Sequence, residues 1–283
     1  MMQTRSPENI PIIDVSRHQG TIDWVAVAAS GVKGVMIKAT EGIGYIDPLF
    51  IQNVLGAHAA GLEVGFYHFA RPETPNTAMQ EAEYFLAKVA DIPATLPYAL
   101  DVEGEAADLG PSRLTDWCHE WLETVEQRTG HRCMVYSGAS FARSYLGGKL
   151  ARWPLWIAHY GVNQPMANGT WERWAMHQYS ETGRVDGIAG KVDLNEMDTE
   201  YWRELTTPPA EETEAGDMAK LPEGIANNII DSYLSKMWFT AEEERKLAEQ
   251  EGRKGDAASW LQLRDWQNAL ANELRKASGQ VTQ

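Results

Sequence analysis

The chain has 283 residues, 43% of them hydrophobic and 10% aromatic, which is enough for a core and argues against general disorder. Its formal charge of −15 makes nucleic acid a poor partner. The two cysteines, Cys118 and Cys133, lack metal-ligand spacing; reduced buried thiols are expected, not a disulfide framework.

From the start, "MMQTRSPENIPIIDV" holds no apolar signal core, and no later run reaches the length of a membrane span. The expectation is synthesis in a cytoplasm without an ordinary export tag. Ile10–Val15 reads as a strand and Thr21–Ser30 as a helix. Lys33–Ala39 is a second strand, followed by a helix over Pro48–Ala60 with proline in its first turn. Leu62–Phe69 and Asn76–Ala90 repeat the pair, as do Pro97–Glu103 and Pro111–Thr129. Arg132–Ser137 is the fifth strand, with a short helix near Ala139–Leu146. Pro154–Tyr160, Trp174–Ser180 and Lys191–Asn195 are then strands with little helix between them. Strand–helix alternation with continuous apolar strands predicts a parallel α/β barrel of eight strands, incomplete because the last three are poorly covered.

In such barrels the site lies at the carboxyl ends of the strands. Those ends carry Asp14, then Lys38 with Glu41, then Tyr67, then Asp101 with Glu103. Further along come Tyr136, Trp156, Tyr160, Gln178, Tyr179 and Asp193. Acids and aromatics thus gather at one rim. Residues i and i+2 of a strand point the same way, with Cα atoms about 6.6 Å apart, so Asp101 and Glu103 share a face. Two carboxylates held close in a partly desolvated place push one pKa up, leaving one group protonated and one ionised. Glycosidic cleavage uses that division: one acid protonates the leaving oxygen while carboxylates stabilise or attack the oxocarbenium-like centre. A lone D-x-E on a strand is usually a solvated face. Here the strand is central, and Asp14 and Asp193 join it from two other strand ends.

The sequence resembles the glycoside hydrolase family 25 lysozymes, the Chalaropsis-type N-acetylmuramidases common among bacteriophage endolysins. The matching stretches are "IIDVSRHQGTIDW", "GVMIKATEG", "GFYHFARP", "ALDVEG", "WIAHYG", "MHQYS" and "VDLNEMD", in order between about residues 10 and 205. The resemblance implies a flattened (β/α)5(β)3 barrel and hydrolysis of the β-1,4 bond between N-acetylmuramic acid and N-acetylglucosamine, with no cofactor or metal. It implies that Glu103 is the general acid and Asp101 the neighbouring acid that steadies the N-acetyl group or the developing charge. Asp14 and Asp193 match two further rim acids, with positioning and pKa control as their roles. Asp101 as covalent nucleophile and attack by the substrate's own acetamide oxygen both retain configuration. The second is favoured, since an i, i+2 pair approaches the sugar from similar directions.

Tyr67, Tyr136, Trp156, Tyr160, Gln178 and Tyr179 are the expected substrate contacts, each aromatic weighed against a place in the barrel core. Lys38 is either a partner of the rim acids or half of an ordinary ion pair. His18, His68, His159 and His177 do not have metal-site spacing, and structural hydrogen bonds explain them.

Residues 1–207 carry 16 Lys+Arg against 26 Asp+Glu, residues 208–217 four acids and no base, and residues 218–283 nine against ten. The acidic, proline-containing 208–217 reads as a linker. Beyond it, Leu221–Trp238, a helix capped by Thr240 and running to Glu251, and a helix capped by Asp256 predict a small all-α domain of three helices. That domain is expected to bind the cell wall; packing or self-association through its helices is the alternative. Met218, just after the linker, is either a methionine that simply precedes the first tail helix or an internal start that would release a free tail fragment able to pair with the intact chain. Competing functions are a chitinase-like hydrolase of N-acetylated glycans and a non-catalytic glycan-binding module. For an endolysin, made in the host cytoplasm, access to peptidoglycan would follow holin-type release.

Overall fold

The computed structural model describes residues 2–89, 92–207, 223–252 and 254–282. The chain divides into two compact units, Met1–Pro209 and Ala210–Gln283.

In the first unit, nine strands form one sheet: β1 (Ile10–Val15), β2 (Gly34–Glu41), β3 (Tyr45–Ile46), β4 (Glu63–Phe69), β5 (Tyr98–Asp101), β6 (Cys133–Gly138), β7 (Leu155–Ala158), β8 (Met176–Gly183) and β9 (Val192–Met197). Their order is β1-β9-β8-β7-β6-β5-β4-β2-β3, and β1 also pairs with β2, so eight strands close on themselves and the two-residue β3 sits outside the ring. Helices α1 (Trp24–Ala29), α2 (Phe50–Ala59), α3 (Ala78–Val89), α4 (Pro111–Thr129) and α5 (Ala139–Tyr145) lie between the early strands. Asp23 caps α1 by accepting from the Ala26 amide. Pro111 opens α4, where a missing N–H costs nothing.

The strands alternate as period two requires. Ile13, Val15, Val35, Ile37, Leu100, Val135 and Ile157 face outward into the layer that helices cover. Ile12, Met36, Ala99, Met134, Met176 and Met197 face inward and fill the barrel. Methionine suits this narrow interior, being unbranched and adaptable. The space is tight at Gly65, where a Cβ would stand 2.6 Å from Met36 Sδ and 2.8 Å from Leu96 Cβ. α6 (Thr199–Thr206) follows β9, and its Tyr201, Trp202 and Leu205 pack against the inward cluster.

The expectation of an all-parallel barrel is corrected at its end. β9 runs antiparallel to both β8 and β1. The segment joining β8 to β9, residues 184–191, is too short for a crossover to a parallel neighbour, which takes a dozen residues or more. Residues 159–175 are long enough, and β7 and β8 are parallel although no helix lies between them. The reversal preserves the site. Asp193 stands at the beginning of β9, and there the reversed strand meets the rim formed by the ends of the others.

In the second unit, α7 (Glu223–Ile229) continues through a π-helical turn (Ile230–Leu234) into α8 (Ser235–Gln250), and α9 (Lys254–Ala277) follows. The expected break before Thr240 is absent. Neither glycine nor proline occurs between Leu234 and Glu251, so nothing interrupts the ladder, and the Thr240 hydroxyl donates back to the Lys236 carbonyl. The chain turns at Gly252, whose φ of +74° favours glycine. α9 starts at Lys254, ahead of Asp256. Ile230, Leu234 and Ala271 form the described core, with Leu270 and Leu274 against it. Glu242 of α8 binds Arg245 on its own helix and Arg264 on α9. The 208–217 segment and Met218 lie outside the described residues.

Candidate active site

The rim encloses a cleft of about 390 Å³. Inward residues near the ends of successive strands build it: Asp14 from β1, Lys38 from β2, Tyr67 from β4 and Asp101 from β5. Tyr136 from β6, Trp156 from β7, Gln178 from β8 and Asp193 from β9 complete the circuit. Glu103 and Tyr160 enter from segments just beyond β5 and β7.

All four predicted acids therefore line one cavity, as do five of the six predicted contact residues. Tyr179 does not. It follows the inward Gln178 and so points to the other side of β8, where Arg5 stacks on its ring at 3.6 Å. Glu181, not singled out in the sequence, does reach the cleft. The β8–β9 register slips between Gln178 and Ser180, so simple alternation from Gln178 does not foretell it. His18 and Ser16, on the turn after β1, also line the wall. His68 instead lies in the outer layer, fully buried, with Nδ1 at 2.8 Å from Thr40 Oγ1 and Nε2 at 2.8 Å from Glu81.

A hydrogen-bond chain holds the floor. Asp14 Oδ2 accepts from Gln178 Nε2 at 2.8 Å and from Asn195 Nδ2 at 2.7 Å. With both amides committed as donors, their oxygens accept: Gln178 Oε1 from the Tyr136 and Tyr160 hydroxyls, Asn195 Oδ1 from Trp156 Nε1. Trp156 is 2% exposed and wedged by Tyr67 and Tyr136 with ring centroids 6.2 and 4.6 Å away, so it forms the base of the cleft. Tyr160, 41% exposed, offers the open aromatic surface.

Burial dominates the electrostatics. It pushes Asp14 up to about 8, helped by the charge of Asp193 and opposed by the two amide donors. Asp193 is raised too, chiefly by burial, with a hydrogen bond from Asp14 opposing. Asp101 is held well above the carboxylate range by burial and then by Glu103, with Lys38 opposing. Glu103, less enclosed, is raised by burial and by Asp193 against the pull of Lys38. Asp101 Oδ1 is buried and has no hydrogen-bond partner among the described residues. Such a cleft keeps protons on carboxyl groups at pH values where an exposed acid would have lost them, as a carboxylic proton donor requires.

Residues 13–188 match the family model for glycosyl hydrolases family 25. The chain belongs to glycosyl hydrolase family 25. Lysozyme M1 of Streptomyces globisporus is 36% identical over 196 residues, 65% of this chain and 66% of its own length, so the match spans just under two thirds of that relative. A crystal structure of the lysozyme from Streptomyces coelicolor matches with a TM-score of 0.64 at 33% identity, over 68% of this chain and 94% of that one. The CTP1L endolysin, whose activity is regulated by a secondary translation product, matches with a TM-score of 0.63 at 30% identity, over 81% of this chain and 79% of its own. The carboxylates and aromatics described above are thus the candidate active site of a glycoside hydrolase.

Proposed function

We propose that this family 25 chain is a muramidase that cuts the β-1,4 bond between N-acetylmuramic acid and N-acetylglucosamine in bacterial peptidoglycan, on a flattened (β/α)5(β)3 barrel. The observation that carries the reading is the pair Asp101 and Glu103, both raised, at the inner rim of a cleft with an open aromatic wall. Glu103, the more accessible of the two, protonates the leaving oxygen. The free Oδ1 of Asp101 suits the N–H of the substrate's acetamide, whose oxygen then attacks the anomeric carbon and gives retention. Asp14 and Asp193 hold the sugar and set the field. Mass spectrometry of digested peptidoglycan tests this. Fragments ending in a reducing N-acetylmuramic acid are expected; fragments ending in N-acetylglucosamine, or faster release from chitin, would replace this reading with a glucosaminidase or a chitinase-like one.

The biological role we infer is that of a phage endolysin, reaching the wall after holin-type release. The helical second unit serves as its wall-binding or self-association module. Met218 is a candidate internal start. The CTP1L endolysin, similar over more of this chain than the barrel alone, is itself regulated by a secondary translation product, which supports this reading. A free tail would add wall contacts without adding catalytic domains. With a C-terminal tag, the wild-type gene is expected to yield a tail-sized band that Met218→Leu removes. A wild type without the band, or a mutant that keeps it, excludes initiation at Met218.

A further inference from the structure

Beside the catalytic cleft lies a second cavity of about 280 Å³, joined to it through the shared residues Ser16, His18 and Lys38. Its own walls come from the turn after β1, the β2–β3 region and the segment after β4: Arg17, Tyr45, Arg71, Thr74 and Asn76. We propose that this cavity receives the acidic peptide stem of the muramyl residue, so that Arg17 makes the enzyme favour stems with a free carboxylate.

The charges around the cavity single out Arg17. Lys38 is committed to Glu41 at 2.7 Å. Arg71 is committed to Glu41 at 2.5 Å, with Glu73 and Glu105 at 3.6 and 3.4 Å. Asp47 is buried and satisfied, accepting the backbone amides of Arg17 and Leu49, each at 2.9 Å. The Arg17 guanidinium has no ion pair among the described residues and stands 5.6 Å from the centre of the Tyr45 ring. In a chain of net charge −15, an uncommitted guanidinium at the mouth of a cavity selects an anion. A further neutral sugar would leave it unused. The stem branches from the muramyl ring through the lactyl ether, off the glycan chain, and this cavity adjoins the cleft through the residues they share. The Thr74 hydroxyl donates to the Arg71 carbonyl and Asn76 Nδ2 to Glu81, so the Asn76 side-chain oxygen is the acceptor offered to a peptide N–H, and Tyr45 offers an apolar face to a short side chain.

This rests on the muramidase reading, and its test separates the two. The substrates are two synthetic muramyl glycans whose dipeptide stems are capped as the γ-methylamide and differ in one group, the second residue carrying either a free α-carboxylate or the corresponding α-carboxamide. The wild type is expected to show a kcat/KM about fivefold higher for the free acid, the size of a partly exposed ion pair. Arg17→Ala is expected to abolish that preference by slowing the free acid, with the amidated substrate unchanged within twofold. Arg17→Lys should keep most of it. A wild type without preference, or a preference that survives Arg17→Ala, overturns the proposal. So does equal slowing of both substrates, which would mean that Arg17 supports the site generally. Failure to cut either glycan would sink the muramidase reading itself.

Discussion

Glu103→Gln is expected to reduce lysis by about 10³-fold or more, within the range that general-acid catalysis contributes, with folding unchanged. The amide keeps the shape and hydrogen-bonding capacity of the side chain but has no acidic proton to deliver. Stability should not suffer. Glu103 makes no capping hydrogen bond to the turn it begins, and its charge opposes ionisation of buried Asp101. Asp101→Asn should be severely but less completely impaired, because an amide can still meet the acetamide group. The same carboxyl pair sets the pH profile. Both groups are raised, so the proton donor persists above the ordinary carboxylate range and is lost as pH rises through its raised pKa. Full protonation of the pair forms the acid limb. Lysis should peak at mildly acidic to neutral pH. Turbidity assays on cell walls with folded Glu103→Gln, and across pH with wild type, check both statements; substantial activity in the mutant, or a rate still climbing in alkali, overturns the assignment.

Asp14→Asn is expected to weaken activity strongly while raising thermal stability at alkaline pH. Asp14 is 6% exposed and its folded pKa is about 8, against 3.8 for the unperturbed group. The sign follows from linkage. A folded pKa raised above the unfolded one contributes stability that is fully present below the unfolded pKa and is lost as pH rises through the folded value. Each unit corresponds to about 1.4 kcal/mol, so the cost accumulates between about pH 4 and pH 8 to the order of several kcal/mol. The asparagine oxygen can still accept from Gln178 and Asn195, and nothing remains to ionise. The melting temperature of the variant should exceed that of wild type by several degrees at pH 8.5 and match it near pH 4. A difference independent of pH would show that Asp14 does not carry this titration. The active site thus trades stability for function, because it keeps like charges in a water-poor place.

Much of the barrel is written in local pattern. Period-two alternation is a property of the strand itself, so "ALDVEG" already aims Asp101 inward behind Ala99. Proline at Pro111 and the positive-φ glycine at Gly130 bound α4 at the residues expected from sequence. The order of the strand ends in the sequence already gathers Asp14, Asp101 and Glu103 at one rim, and Asp193 reaches the same rim from the beginning of the reversed β9. The second unit was less legible: without glycine or proline near Thr240, a threonine that resembles a cap is only a hydroxyl on a continuing helix.

Other features depend on which strands become neighbours. β9 reverses because eight residues cannot carry the chain back across the sheet, a constraint of loop length in three dimensions that a strand's own sequence does not record. A register slip in β8 brings Glu181 to the cleft, while plain alternation turns Tyr179 away from it. Arg17, Tyr45 and Arg71 meet around a second cavity though they come from three separate segments, and ion pairs among their neighbours leave Arg17 without a carboxylate partner among the described residues. The sequence by itself determined which side chains each element presents at its end, since that follows from periodicity within the element. Only the tertiary structure decided which of them share a cleft, a wall or a counter-ion, since those depend on distances between elements far apart in the chain.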